Sequence, residues 1–285
     1  MSTSADEKRE LPAHRNRLQL AIEAVRSLRN GDRGVAEAIA CGKEAIPLLR
    51  ELLFEREPSG LFESRRRAVE ALAALSAQDV LIEFLESSPD IADPVERLGE
   101  DAVMNAAARS LRELRNPRAL QLFLSLVRRR PLSGVVAALG GFQAPETIPY
   151  FIDALAEDEC RPEAEAALQK MASLAHDALI VAALQDPTRK DRESESRLRQ
   201  RRSALALLVQ TGVRSSEWPA LRNIMEDLDP KLVVLACGLC LTCAPELERR
   251  EAIDRLRRLL PSADLPLRLD IEHCLAQHAG CDGER

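Results

Sequence analysis

Aromatic residues are scarce in this chain of 285 residues, which contains one Trp, one Tyr and six Phe. Glycine is also sparse, with 12 residues, whereas Leu and Ala number 45 and 41. Leu and Ala have high helix propensity, and the β-branched and aromatic residues that favour strands are few. The composition argues against a β-sandwich, a β-barrel, a disordered chain or an aromatic-rich α/β enzyme. It predicts an all-α protein.

Long apolar segments are missing as well. The longest apolar run, residues 232–243, is about a dozen residues, short of the roughly 20 that a spanning helix needs. The first 17 residues are polar and charged and contain no apolar stretch typical of a secretory signal. We therefore expect a cytoplasmic protein without a membrane partner.

Motifs for catalysis are also absent. The sequence has no Gly-x-Ser-x-Gly elbow, no Walker loop, no Gly-x-Gly-x-x-Gly and no His-Glu-x-x-His. Its four histidines, His14, His176, His273 and His278, are scattered. We predict no catalytic residues and no cofactor, and thus a protein that is not an enzyme.

An internal repeat with a period near 34 residues organises the chain. Residues 44–53, Glu-Ala-Ile-Pro-Leu-Leu-Arg-Glu-Leu-Leu, recur as 146–155, and more loosely as 217–225. Their prolines, Pro47 and Pro149, are 102 residues apart, which is three such periods. Each copy has apolar residues at i, i+3, i+4 and i+7, the pattern of an amphipathic helix.

A second helix with its own pattern follows each copy. It reads Arg-x-x-Ala-x-x-Ala-Leu, clearest from Arg65 and Arg161 and weaker from Arg201 and Arg268. Small residues at this spacing let helices approach closely, and a long Arg at the helix start can reach the preceding turn. The chain therefore reads as a series of stacked helical hairpins.

These two patterns together resemble the HEAT-repeat family, which is similar to armadillo-type proteins. The resemblance rests on Pro47, Pro149 and Pro219 in the first helices and on the Arg…Ala…Ala-Leu signature in the second. It implies a right-handed α-solenoid of about seven stacked HEAT-like hairpins, with the second helices lining the concave wall. We predict a disordered tail at 1–13, one solenoid over 14–278 with an N-terminal cap at 14–42, and a C-terminal tail at 279–285.

Seven cysteines raise the question of a metal site. Cys237, Cys240 and Cys243 lie three residues apart, with Cys274, His278 and Cys281 further on. Cys240, Cys243, His278 and Cys281 could supply four ligands to zinc. The stretch nevertheless reads as a helix in which the cysteines occupy small-residue and leucine slots, so we favour reduced, buried thiols and predict no metal.

Arginine clusters raise the question of nucleic acid. They lie at 65–67, 128–130, 197–202 and 249–258. HEAT-like alkylpurine DNA glycosylases resemble this chain in architecture, which implies that such a solenoid can hold DNA. Acidic residues beside the clusters, a net charge of −6 and the near absence of stacking aromatics favour an ion-paired surface instead. Nucleic acid is accordingly an unfavoured partner.

The apolar run 232–243 has apolar residues on every side, so it needs cover. One possible cover is internal: tight curvature together with the connection 187–196 or the C-terminal hairpin. The other is a partner helix or a second subunit, which would make a homodimer. We predict a docking patch that includes Val233, Val234, Leu235 and Leu239.

The leading functional hypothesis is a non-enzymatic HEAT-repeat scaffold or adaptor that binds protein partners through its concave face. One alternative is a nucleic-acid-binding solenoid, and another is a lyase-type or other enzyme that modifies small molecules or cofactors on a HEAT-like scaffold. The predicted concave contacts, chosen by their slot in the repeat, are Arg66, Glu70, Asn105, Arg109, Arg112, Glu165, Gln169 and Arg202.

Overall fold

The computed structural model describes residues 16–56, 61–87, 89, 91–184 and 193–281, without the side chains of 278–281. Within these residues all regular structure is helical and no strand occurs, so the all-α prediction is confirmed. The α-helices are α1 (16–26), α2 (Gly31–Ala40), α3 (Ile46–Phe54), α4 (Glu63–Ala74), α5 (Gln78–Glu86), α6 (Pro94–Ser110), α7 (Pro117–Arg129), α8 (Ser133–Gly140), α9 (Ile148–Ala154), α10 (Arg161–Lys170), α11 (Ala172–Ala183), α12 (Glu195–Thr211), α13 (Trp218–Leu221), α14 (Pro230–Cys243), α15 (Glu246–Leu259) and α16 (Leu265–Cys281). Short 3-10 segments lie at Gly42–Ala45, Pro145–Thr147, Arg222–Glu226 and Leu260–Ser262.

The chain divides into two compact units, unit 1 (1–142) and unit 2 (143–285). Helices α1 and α2 fall in the predicted N-terminal cap, and the predicted tail 1–13 lies outside the described residues. Helix α16 runs through 279–281, which the sequence assigned to a loose tail. The single continuous solenoid over 14–278 stays a prediction.

Unit 1 is built from helical hairpins in two rows. Helices α3 and α4 form one hairpin, and α5 with α6 and α7 with α8 form the next two. The second helices pack in the order α2, α4, α6, α8, and the first helices in the order α3, α5, α7. Each hairpin thus buries its apolar faces against its neighbours, as a repeat protein requires.

Unit 2 repeats this arrangement with four hairpins: α9 with α10, α11 with α12, α13 and its following 3-10 segment with α14, and α15 with α16. Its second helices pack in the order α10, α12, α14, α16, and α9 packs on α11. The described residues of the two units form seven hairpins, the number that the sequence predicts.

The repeat prolines and capping residues explain where the helices begin. Pro47, Pro149 and Pro219 each lie in the first turn of a first helix, where proline's missing N–H costs no hydrogen bond. Before α14, the Asp229 side chain accepts a hydrogen bond from the Leu232 amide at 2.9 Å. This is the N-cap that the Asp-Pro dipeptide indicates.

Two of the signature arginines, Arg65 and Arg161, reach the end of the preceding helix. Arg65 Nε donates to the carbonyl oxygen of Leu53 at 2.7 Å, at the end of α3. Arg161 makes the same bond to Leu155, at 3.2 Å. Because the last carbonyls of a helix lack intrahelical partners, these guanidinium groups complete the ends of the first helices.

Candidate functional site

Two of the residues predicted for the concave wall in unit 1 link neighbouring second helices. Asn105 Oδ1 accepts a hydrogen bond from the Gly134 amide at 2.7 Å, which fixes the start of α8 on α6. Arg109 Nη2 donates to Ser133 Oγ at 2.9 Å in the same place. Asn105 therefore has a structural contact that its slot in the repeat did not predict.

The remaining predicted residues of unit 1 carry charge near the surface. Arg66 Nη2 lies 2.6 Å from Glu63 Oε1, and its Nη1 lies 4.0 Å from Glu70. Arg112 is exposed, with its Nε 3.3 Å from Glu113. Arg66 and Arg112 are thus matched by acidic neighbours on their own segment of chain.

In unit 2 the predicted residues also contact neighbouring repeats. Gln169 Nε2 donates to Gln210 Oε1 at 3.3 Å, which links α10 to α12. Arg202 donates from Nε to the Asp229 carboxylate at 3.1 Å, ahead of α14. Glu165 is partly exposed on α10. Partner binding stays a prediction for all eight residues of the predicted concave wall.

The arginine clusters are paired with carboxylates of the chain. In the first cluster, Arg65 and Arg67 are buried, and they pair with Glu100 at 2.7 Å and with Asp32 at 3.3 Å. The pairs in the other clusters are Arg130 with Asp101, Arg199 with Asp158, Arg201 with Glu193 and Asp227, Arg249 and Arg250 with Glu246, Arg255 with Glu226, and Arg257 with Asp254. The guanidinium groups of these arginines thus have internal counter-charges.

The predicted docking patch on the apolar helix is wrong. Val233, Val234 and Leu239 are buried, and Leu235 is half-buried. Helix α14 packs against α12, α15, α16 and the 3-10 segment Arg222–Glu226, so the chain's own hairpins supply the cover. The homodimer contact through 232–243 stays a prediction.

The cysteines of α14 behave as core residues. Burial raises the pKa of both Cys237 and Cys240 to about 12, and burial also raises the pKa of Cys243 and Cys274. Without a metal, these thiols are therefore protonated at neutral pH and pack as small apolar groups. The side chains of His278 and Cys281 lie outside the described residues, and the predicted absence of metal is untested.

A cleft in unit 2 is a feature to which the sequence did not point. It has a volume of about 740 Å³ and opens between the start of α11 and the turn after α12. Its lining residues are Ala172, Ser173, His176, Asp177, Thr211, Gly212, Val213 and Arg214. Gly212 adopts a φ of +84°, a left-handed conformation that ends α12 and turns the chain along the cleft.

Glu217, which is not itself a lining residue, binds two side chains that line the cleft. Glu217 Oε2 lies 2.9 Å from His176 Nε2, and Glu217 Oε1 accepts a hydrogen bond from Arg214 Nε at 2.7 Å. The Arg214 amide also donates to Glu217, at 2.9 Å. These bonds, first that from the Arg214 side chain and then that from His176, lower the pKa of Glu217 to about 2. The carboxylate therefore holds His176 and Arg214 in place on opposite walls.

Sequence reasoning missed this contact because His176 looked isolated. The signal that could have found it is the repeat itself, since His176 and Glu217 are 41 residues apart and Gln169 and Gln210 are separated by the same interval. Residues one repeat apart lie at neighbouring positions in adjacent hairpins.

An exposed apolar strip lies next to the cleft on α11. Leu174 is 54% exposed and Val181 is 69% exposed, and Asp177 lies between them on the same face. No membrane-spanning candidate was found among the described helices, none of which is both long and apolar enough. The predicted cytoplasmic location is not tested by this finding.

Comparison with known proteins adds a likeness to solved structures. No family model matches the chain, and no curated protein matches it. A solved structure, the complex of CpcE and CpcF of phycocyanin lyase from Nostoc sp. PCC7120, is similar with a TM-score of 0.37 and 22% identity. The match covers 85% of this chain and 94% of that chain.

This finding corrects one expectation. The solved chain belongs to a lyase, which contradicts the prediction that a chain of this kind is not an enzyme, and we withdraw that prediction. At this TM-score the likeness assigns neither an activity nor a substrate to the present chain.

Proposed function

We propose that this chain is a HEAT-like repeat protein that binds a protein partner through solvent-facing side chains of its hairpins. The observation that supports the proposal is the contrast between paired cations and exposed aliphatic residues. Aliphatic side chains that face solvent in unit 2 include Leu174, Val181, Leu265 and Leu269. Neighbouring exposed apolar groups are a feature of protein-binding surfaces, and Leu174 and Val181 lie on one side of α11. The proposal concerns binding and does not exclude catalysis.

The alternative of nucleic-acid binding has less support. Phosphate binding needs cations that can exchange solution counterions for phosphates, and base stacking needs exposed aromatic rings. Most guanidinium groups of the clusters have carboxylate partners, and Trp218 is buried with its indole N–H donating to Glu248. The described surface therefore offers few cations for phosphates and few aromatic rings for base stacking.

Cross-linking in the native source, followed by reconstitution with the purified partner, tests the proposal. We expect a saturable complex of defined stoichiometry by calorimetry, and weak binding of short random-sequence oligonucleotides in parallel anisotropy titrations. Tight oligonucleotide binding that weakens steeply with salt, without any saturable protein complex, would overturn the proposal.

A further inference from the structure

The exposed side of α11 combines apolar groups with a single carboxylate. Leu174, Asp177 and Val181 are at i, i+3 and i+7, which places them on one side of the helix. We call these three residues, with the cleft beside them, the α11 face. Leu174 and Val181 are both more than half exposed, although α11 packs against α9 and α12 on its other sides.

Asp177 differs from the other carboxylate at the cleft. Glu217 accepts hydrogen bonds from Arg214 and lies within hydrogen-bond distance of His176. Among the described residues, none forms a hydrogen bond or an ion pair with Asp177. Arg214 is hydrogen-bonded to Glu217, and this bond is the main reason that the pKa of Arg214 is raised. The charge of Asp177 raises that pKa to a smaller extent. The cleft and the groups next to it thus contain two carboxylates, those of Asp177 and Glu217, and the guanidinium of Arg214.

A partner that covers the α11 face must meet two requirements. Burial of Leu174 and Val181 favours aliphatic side chains, because apolar area is then removed from water. The same burial removes Asp177 from water, and a desolvated carboxylate is costly unless a cation pairs with it. An apolar partner segment without a cation would satisfy only the first requirement.

We propose that the α11 face binds a segment of a partner protein in which a Lys or Arg side chain is flanked by aliphatic side chains. The inference rests on the proposed function and names the chemistry of the partner. The cation meets Asp177, and the cleft, at about 740 Å³, has room for the long side chain that carries it. The Ser173 hydroxyl on the cleft wall is a further polar group for that side chain.

Selection of a random peptide display library on the intact protein tests this inference. We expect enriched peptides to contain Lys or Arg between Leu, Ile or Val. Asp177→Lys should weaken binding of a synthesised enriched peptide by at least about tenfold, measured by fluorescence anisotropy. Replacing the peptide's basic residue by Glu should restore binding to the Asp177→Lys variant. Leu247→Glu, at an 81% exposed position of α15, is the matched control and should leave the affinity unchanged.

Several results would overturn the inference. They are enrichment of peptides without a basic residue, no enrichment on the wild-type protein relative to Asp177→Lys, and no restoration by the charge swap. A Val181→Glu variant that loses a dimer instead of peptide binding would assign the α11 face to a second copy of the chain. A natural partner that binds Asp177→Lys with unchanged affinity would refute this inference and leave the proposed function standing.

Discussion

A buried arginine makes the same backbone contact in both units of the molecule. In unit 1, Arg65 Nε donates to the Leu53 carbonyl at 2.7 Å. In unit 2, Arg201 Nε donates to the Ala183 carbonyl at 3.0 Å. Both carbonyls lie at the ends of first helices, so each guanidinium satisfies an acceptor that the helix leaves open.

The counter-charges of the two sites are arranged in opposite ways. In unit 1 one carboxylate accepts from two guanidinium groups, and in unit 2 one guanidinium donates to two carboxylates. The partners are Arg65 and Arg56 on Glu100 in unit 1, and Glu193 and Asp227 on Arg201 in unit 2. The repeat therefore determines the bond from guanidinium to carbonyl, and the neighbouring repeats determine how its charge is balanced.

Removal of the single carboxylate should have the largest effect. Burial raises the pKa of Glu100, but hydrogen bonds from Arg65 and Arg56 outweigh it, so the pKa is lowered and the group is charged. Glu100→Gln leaves the buried Arg65 without a counter-charge. We expect a loss of about 3–5 kcal/mol in the free energy of unfolding, measured by urea denaturation with circular dichroism.

A double variant separates charge from packing at this site. In Arg65→Met with Glu100→Gln, no uncompensated cation stays buried, so most of the lost stability should return. If the double variant is as unstable as Glu100→Gln, the loss comes from packing or from the Leu53 contact.

Removal of the single guanidinium in unit 2 should cost less. Arg201→Met leaves Glu193 and Asp227, whose side chains are 19% and 12% exposed and can regain water. We expect a loss of about 2–3 kcal/mol, from the hydrogen bonds to charged groups. The buried Trp218 in the same unit reports unfolding by fluorescence. A loss as large as that of Glu100→Gln would remove the difference between the two sites.

Two helical glycines give a matched comparison of packing in the units. A Cβ on Gly134 of α8 would lie 2.2 Å from the Asn105 carbonyl oxygen, whereas one on Gly238 of α14 would lie 3.5 Å from Cys274 Sγ. Gly134→Ala should therefore lose about 1–3 kcal/mol through overpacking. Gly238→Ala should be neutral or gain up to about 1 kcal/mol from helix propensity. Equal effects in thermal unfolding would contradict the close approach of α8 to α6.

The sequence predicts the hairpins well because their determinants are local. Pro47 and Pro149 mark first helices, and Arg65 and Arg161 mark second helices whose guanidinium groups reach back by less than one hairpin. Such short-range contacts can be read from a repeating pattern.

Exposure and contacts between repeats are harder to predict. The sequence predicts a docking patch that includes Val234 and Leu239, because it does not show that other helices surround α14. Both residues are buried in the structure. The pairing of His176 with Glu217 depends on the offset between repeats. That offset varies along the chain: the contact from Arg201 to Asp227 spans 26 residues, and the His176 contact spans 41.

The cleft of unit 2 provides a pH test. The folded-state pKa of Glu217 is about 2, below its ordinary value of 4.5, so the group contributes stability above pH 4.5 and loses it as the pH falls toward 2. Glu217→Gln lacks this contribution. The difference in unfolding free energy between wild type and variant should be largest at neutral pH and disappear near pH 2, in urea titrations over that range. A difference that is constant with pH would indicate a packing role for Glu217.

The smallest effect is expected when an exposed ion pair between repeats is removed. One such pair is Arg118 with Glu86, which joins α7 to α5 at 3.0 Å. These side chains are 66% and 44% exposed, so water and salt screen them, unlike the buried pair of Arg65 and Glu100. Arg118→Gln should change the free energy of unfolding by less than about 1 kcal/mol, and added salt should shrink the change further. A larger or salt-independent loss would mean that the exposed pairs align the repeats. In that case the exposed pairs, and not the buried arginines, would be the main electrostatic link between hairpins. The difference between the Glu100 and Arg201 sites would then not determine how strongly the repeats are held together.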